Sequence, residues 1–477
     1  MCYSNVGITY NDIDKRVEAV QYLMKAIAMV DSGIIKTVSI CKNAFNNLFI
    51  SSDYEYFDHE TLYKQYEAYD RFVPRKNEFK FKDKHKQILE NIDTNTIVIA
   101  PSNRTSTTAP SNRTNTTVAG VLQGAAAPCI IGYVSGDFST HVVSQFIIPI
   151  LVNHSADFEI HCFYNMDFED PHFANHVGSR VKIHLIQVMS DAEAAAYIHS
   201  LGIDILIDLS GHTSKNRLEI FALNPAPVQM TYLGFPNTTG LKSIHYRITD
   251  QIADHPESKQ RYSEQLIRMP KCFLLFDDLY KIPVVPKKTD ARRIVLGALN
   301  RESKNSEHVF AAWRRIMREC PETAILVKLS GRSERTAYYA KVLDIHPDRL
   351  IAIGVLDTEQ EFAQLYSKID ILLDTFPYSG TTTSCKSLFY SVPIVTKYHQ
   401  DYHANNVTAS LLINTGFPEL VAYSDDEYVY NAIKLIRDPD RIELYKKEIK
   451  PKFAELMEPR AFMQSYEELL QNTYYVR

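Results

Sequence analysis

From residue 129 onward, short apolar runs alternate with stretches whose apolar residues recur at helical spacing. The runs at 130–135, 158–164, 181–187, 203–209, 228–233 and 246–249 read as strands bounded by polar turns. After the Pro/Lys-rich stretch KIPVVPKK at 281–288 a second series begins, at 294–299, 324–329, 350–353, 369–374 and 393–396. Strand and helix in regular alternation predict parallel sheets covered by helices on both faces. The expected fold class is therefore α/β, with two Rossmann-like doubly wound domains facing a cleft. Loops at the carboxyl ends of the strands line such a cleft, so chemistry is sought there first.

The first 128 residues follow another pattern. Phe45, Leu48 and Phe49, then Leu62, Tyr66, Tyr69 and Phe72, recur at helical spacing. Before them, Tyr3, Val6, Gly7, Tyr10, Ala19, Leu23 and Ala26 match one tetratricopeptide unit, which cannot bury its own face and must cap a neighbour or belong to a longer array. Residues 100–118 carry the hexapeptide APSNRT twice in a Ser/Thr/Asn-rich setting too polar to form a core, and are expected to be a disordered insertion. The division expected is a helical region at 1–87, a linker at 88–128, an N-terminal Rossmann-like domain at 129–286 and a C-terminal Rossmann-like domain with a final helix at 287–477.

Composition narrows the function classes. A formal charge of −5 gives no support for a nucleic-acid partner. Seven cysteines without a CxxC pair suit reduced thiols, and neither a metal site nor a membrane span is expected. The protein is read as cytoplasmic, with the nucleus a second possible compartment. The dinucleotide GxGxxG, the Walker loop, the GxSxG elbow and HExxH are all missing.

What remains is a set of strand-end loops. SGDFSTH places Asp137 and His141 after the first strand, and DLSGHTSKNR places Asp208, His212 and Lys215 after the fourth. The loop that follows, YLGFPNTTG, contains Gly234, Pro236 and Asn237. In the second half NRESK carries Lys304, and DTFPYSGTTTSCKSL joins an apolar strand to a helix through Gly380, Thr381, Thr382 and Thr383. Small residues and hydroxyls at a helix start suit phosphate oxygens, and an ammonium opposite them would neutralise a diphosphate. Each feature also has a plain structural reading: a threonine-capped turn, a surface lysine, a satisfied core histidine.

Taken together and in order, GYVSGDFSTH, DLSGHTSKNRLEIFALNPAPVQMTYLGFPNTTGL, YRITDQIAD and LDTFPYSGTTTSCKSL resemble the catalytic region of the protein O-GlcNAc transferase and SPINDLY family, over roughly residues 129–470. The resemblance implies a glycosyltransferase B fold and an inverting, metal-independent transfer of sugar from a nucleotide donor to Ser or Thr hydroxyls of proteins. It implies that His141 lies near acceptor and sugar, that Lys304 contacts the donor diphosphate, that Thr382 and Thr383 bind phosphate, and that Gly234 and Pro236 border the sugar. No cofactor is implied beyond the nucleotide-sugar donor, GDP-fucose or UDP-GlcNAc.

NTTGL, YRITD and QLYS look more like SPINDLY, whose donor is GDP-fucose. Phe362 and Leu365 stand where the O-GlcNAc branch has a His and an Arg for uracil, Thr381 stands where it has a histidine, and Asp204 replaces another. Lys386 occupies a position where the family carries an acid for the ribose, and the catalytic NNLxK pattern is altered to NRESK. Lys386 and Phe362 are thus the expected nucleoside contacts. Two other readings stay open: a nucleotide-binding pseudoenzyme whose helical region holds a partner, and a transferase acting on small molecules.

Overall fold

The computed structural model describes residues 16–31, 38–73, 79–81, 128–285, 287–290, 293–329 and 333–474. Tyr3, Val6, Gly7 and Tyr10 of the tetratricopeptide-like spacing, and the repeat at 100–118, lie outside those residues. Three helices come first: α1 (Arg16–Asp31), α2 (Val38–Ser52) and α3 (His59–Phe72). Asp58 begins α3 by accepting the Thr61 N–H at 2.8 Å, which satisfies one of the free amides of its first turn.

The first sheet contains β1 (Cys129–Ser135), β2 (Phe158–Tyr164), β3 (Val181–Leu185), β4 (Ile205–Asp208), β5 (Val228–Thr231), β6 (Tyr246–Asp250) and β7 (Gln265–Met269), in the order β3-β2-β1-β4-β5-β6-β7. The helices α4 (Ser144–Asn153), α5 (Pro171–Val177), α6 (Asp191–Ser200) and α7 (Leu218–Ala222) connect them. The second sheet contains β8 (Val295–Ala298), β9 (Ala324–Lys328), β10 (Leu350–Ile353), β11 (Ile371–Leu373), β12 (Ile394–Lys397) and β13 (Val421–Ala422), ordered β10-β9-β8-β11-β12-β13. Between its strands run α8 (Glu307–Glu319), α9 (Ser333–Leu343), α10 (Glu359–Leu365), α11 (Thr382–Phe389) and α12 (His403–Thr415). The chain ends with α13 (Asp425–Ile436), α14 (Pro439–Leu456) and α15 (Pro459–Tyr474). Every strand pairing is parallel, so both sheets are doubly wound as expected. β7 and β13 were not foreseen in the apolar pattern.

Strand order reverses beside β1 in the first sheet and beside β8 in the second. At those switch points neighbouring loops diverge and leave a crevice. The loops after β1 and β4 flank one crevice, and the loops after β8 and β11 flank the other.

Burial explains where the helical region goes. Ile131, Tyr133, Ile205 and Ile207 feed one face of the first sheet into a core that runs on through the second sheet. Val134, Phe163 and Leu206 point the other way, into a core shared with Phe45, Leu48 and Phe49 of α2 and Tyr66 and Tyr69 of α3. The Phe49 and Tyr66 rings stack at 3.8 Å, and Lys42 pairs with Glu219 of α7 at 2.6 Å. The described helices therefore cap the first domain. At the other end α15 belongs in sequence to 287–477 but packs on α4 and β7 of the first domain. There Glu467 accepts from the Ser155 N–H at 2.7 Å, and the Tyr474 hydroxyl donates to Asp204 at 2.9 Å.

Removing the ring at the centre of the helical cap tests this packing. Phe49→Ala should cost on the order of 3 kcal/mol and lower the thermal midpoint. The same truncation at exposed Leu444 should leave the midpoint essentially unchanged.

Candidate functional site: a cleft between the two sheets

A cavity of about 640 Å³ separates the two sets of strand-end loops. Its volume falls in the range of small-molecule sites. Asp137, His141, Gly234 and Pro236 line it from the first domain; Lys304, Tyr378, Thr381, Thr382, Thr383 and Lys386 line it from the second.

The diphosphate corner is organised by Asp374 at the end of β11. One carboxylate oxygen accepts the Gly380 N–H at 2.8 Å and the Asn300 amide at 2.9 Å, and the other accepts the Thr396 hydroxyl at 2.7 Å. This network draws the chain tightly round before α11. Gly380 is needed for that closeness, because a Cβ there would stand 2.3 Å from the Ser384 hydroxyl. It packs against the protein itself, behind the threonines that line the cavity. Thr381 precedes α11 without making a side-chain cap, so the threonine-capped turn is not what forms. The first amides of α11 and the hydroxyls of Thr381, Thr382 and Thr383 are left for a ligand. Facing them, the Lys304 ammonium donates to the Ser379 carbonyl at 2.7 Å and lies 3.7 Å over the Tyr378 ring. Loss of hydration pulls its pKa down to about 7, and the Arg301 charge adds to the effect. An arriving diphosphate would replace what hydration no longer supplies.

One turn further along α11, Lys386 is buried and its ammonium grips the carboxylate of Glu359 at the start of α10. Phe362 lies beside them, with the Lys386 nitrogen 5.3 Å and the Lys328 nitrogen 4.9 Å from its ring centre. Lys386 and Phe362 line the cavity, as expected, whereas Leu365 is buried away from it. Glu359, on the neighbouring helix, thus places a carboxylate beside Lys386 in the same cavity. Nothing local marks Glu359 in the sequence, since acidic residues are ordinary in a first helical turn.

On the first-domain side, His141 stands 4.0 Å from Asp137, and its Nδ1 accepts the Val143 N–H at 3.3 Å. In the neutral ring that contact puts the proton on Nε2, making His141 a donor. Gly234 is tied to its place: a Cβ there would lie 1.8 Å from the Leu209 carbonyl oxygen.

Two expected residues fall elsewhere. His212 does not line the cavity. It is wholly buried, bonded to the Thr239 carbonyl at 2.8 Å and to Asn46 at 3.1 Å, and wedged against Phe49 and Tyr69. Burial pulls its pKa down to about 3. The reason is local: Gly211, at φ +52°, turns the loop toward the helical layer, with Phe235 pressed against its α-carbon. Asn237 also lies behind the wall, where its amide donates to Asp53 at 3.0 Å.

Asp53 is the residue the sequence did not disclose. With Tyr54 it reaches the cavity from the turn after α2, and Tyr54 stacks on Tyr378 at 5.3 Å. Burial pushes its carboxyl up to about 7. The only advance signal was the polar stretch SSDYEYFD set between two apolar helices.

A threonine-lined helix start and a lysine thus line the cleft together with loops from a second parallel sheet, as in a fold of the glycosyltransferase kind. The model for glycosyl transferase family 41 matches residues 121–293 and 287–465, and the chain belongs to that family. It is 36% identical over 323 residues to the tomato (Solanum lycopersicum) protein named probable UDP-N-acetylglucosamine–peptide N-acetylglucosaminyltransferase SPINDLY, covering 65% of this chain and 35% of that one. It is 29% identical over 335 residues to the Arabidopsis thaliana protein of the same enzyme name called SEC, covering 67% and 34%. The chain thus spans about a third of the length of these relatives. Among solved structures, a mutant of the Thermobaculum terrenum O-GlcNAc transferase superposes with a TM-score of 0.76 at 23% identity, covering 99% of this chain and 90% of that one. The resemblance read from the motifs, and its lean toward SPINDLY, are borne out. Among the described residues no group of side chains is placed to hold a metal ion, and no helix is long and apolar enough to cross a membrane.

The buried neutral His212 sets a pH dependence with a definite sign. Its folded pKa lies below the unfolded value near 6.5, so the fold loses stability as pH falls below that value, by about 1.4 kcal/mol per pH unit until the folded pKa is reached. His212→Gln should flatten that part of the stability curve between pH 6.5 and 4, measured by urea unfolding against the unchanged protein.

Proposed function

We propose that this chain transfers a sugar from a nucleoside diphosphate donor to Ser or Thr hydroxyls of intracellular proteins, in one displacement that inverts the anomeric carbon. The observation that carries this reading is Lys304, held beside the Thr381–383 hydroxyls at the start of α11 and across the cleft from His141 and Gly234. As the bond from sugar to diphosphate breaks, negative charge grows on the leaving phosphate, where the ammonium and helix amides point. Charge neutralisation of this kind is what a metal ion provides in other transferases, and these groups suffice for a metal-independent reaction. His141, donating through Nε2, would orient a sugar or acceptor oxygen. Asp137, Gly234 and Pro236 would shape the space for the sugar.

For the donor we favour GDP-fucose over UDP-GlcNAc, although the names of the relatives carry UDP-N-acetylglucosamine. Guanine presents two adjacent N–H donors and a carbonyl oxygen on one edge; a carboxylate accepts the pair and an ammonium donates to the carbonyl. Glu359 and Lys386 offer that combination beside the Phe362 ring. Uracil has a single ring N–H and would leave half of the carboxylate unused.

Thermal-shift titration with GDP, UDP, GDP-fucose and UDP-GlcNAc tests both parts, since a ligand that binds the folded state must raise its midpoint. The guanine nucleotides should shift the midpoint most, and Lys304→Ala should abolish transfer while the fold persists. A response confined to uridine nucleotides would reverse the donor preference, and no response to any of the four would favour a scaffold without catalysis. Glu359→Gln should weaken GDP by about tenfold, or 1.4 kcal/mol, and UDP far less. Equal losses for both would remove Glu359 from base recognition.

A further inference from the structure

Displacement at a sugar carbon requires that the acceptor hydroxyl lose its proton, and the groups already described do not obviously take it. His141 has its Nδ1 lone pair turned to the Val143 N–H. Glu359 is paired with Lys386, and His403, which also lines the cleft, is bonded to Asp254 at 2.7 Å. Asp137 is partly open to solvent, 4.0 Å from His141.

Asp53 differs from all of these. Its Oδ1 accepts from Asn237, while Oδ2 is buried with no hydrogen-bond partner. A buried carboxylate oxygen without a partner is costly, and such groups persist where a function or a ligand accounts for them. Asp53 also lines the same cavity as Lys304, His141 and Gly234. The charged and titratable groups facing it come from every side: Lys304, Arg247 of β6, Tyr66 of α3 and Tyr378 of the loop after β11.

We propose that Asp53 is the general base of the transfer, a role that rests on the transferase reading above. Its Oδ2 takes the proton of the Ser or Thr hydroxyl as that oxygen bonds to the anomeric carbon. The bond from that carbon to the diphosphate breaks, and its electron pair leaves on the phosphate oxygen beside Lys304. The proton held by Asp53 passes to solvent when the products depart. Asn237 positions the carboxylate through Oδ1. Burial, which holds the carboxyl near the operating pH, suits it to the task. The helical region thereby supplies a reacting group to a site otherwise built by the two sheets.

The test uses the full chain, GDP-fucose and UDP-GlcNAc as donors, and a pool of Ser/Thr peptides as acceptors, with release of nucleoside diphosphate as the readout. Asp53→Asn keeps the shape and the bond to Asn237, and should lower kcat about a hundredfold or more with the donor KM little changed. In the donor complex, where the diphosphate keeps the Lys304 ammonium charged, kcat of the unaltered protein should rise with pH through about 7, and the variant should lose that limb. Because the buried carboxyl's folded pKa is raised, it costs the fold stability as pH rises from 4 to 7. Asp53→Asn should therefore melt higher than the unaltered protein at pH 8, which guards against misreading an unfolded variant. Full kcat with an unchanged pH limb in Asp53→Asn, while nucleotides still shift the unaltered protein's midpoint, would overturn the inference and leave the donor site standing. If the unaltered protein neither binds nucleotide nor turns over, the transferase reading fails and the base assignment fails with it.

Discussion

The loops of this molecule depend on carboxylates buried at the ends of strands. Asp208 closes β4, where it accepts the Ser210 and Gly211 amides and the Thr231 hydroxyl. Asp250 closes β6, accepting the Ile252, Ala253 and Phe273 amides and the Ser410 hydroxyl. Asp374 follows β11 and holds Gly380, Asn300 and Thr396. A carboxylate taken out of water is costly unless donors surround it, and the donors that surround these three fix the course of the chain around each. Asp250 also draws α12 of the second domain onto the first through Ser410. The turn before α11 depends on this arrangement, because Thr381 makes no side-chain cap of its own there.

The helical region shares in the same construction. The stretch from Asp53 to Phe57 crosses the cleft mouth: Asp53 meets Asn237 on one side, Tyr54 meets Tyr378 on the other, and the Tyr402 hydroxyl donates to the Phe57 carbonyl at 2.8 Å. Tyr56 stands between, within reach of Asn405. A layer that in sequence looks like an appendage is therefore one wall of the cavity.

Most of the architecture could be read from the chain, because parallel strands buried on both faces leave unbroken apolar runs. The two strands that escaped show the limit. Gln265–Met269 has only one β-branched residue, and Val421–Ala422 is a single pair of residues; both form by joining an existing edge. The second-domain residues that line the cleft were legible as a compact motif, strand to turn to helix. His212 stands at a sheet edge equivalent to that of Asp137, but the backbone at Gly211 turns it toward the helical layer and away from the cleft. Asp53 and Glu359 were hidden for another reason. Their meaning comes from partners 184 and 27 residues away, Asn237 and Lys386, and no local pattern records such a pairing.

The return of α15 to the first domain fastens the two halves at two places. One is the crossing from β7 to β8; the other lies between α14 and α15, secured by Glu467 against Ser155 and His154 and by Tyr466 against Tyr133. The chain therefore crosses twice between two bodies that already share one apolar core and the Asp250–Ser410 contact, and the second crossing adds to their hold on each other. The walls of the cleft are thus set by both crossings together, and α15 helps to fix a cavity that it does not itself line.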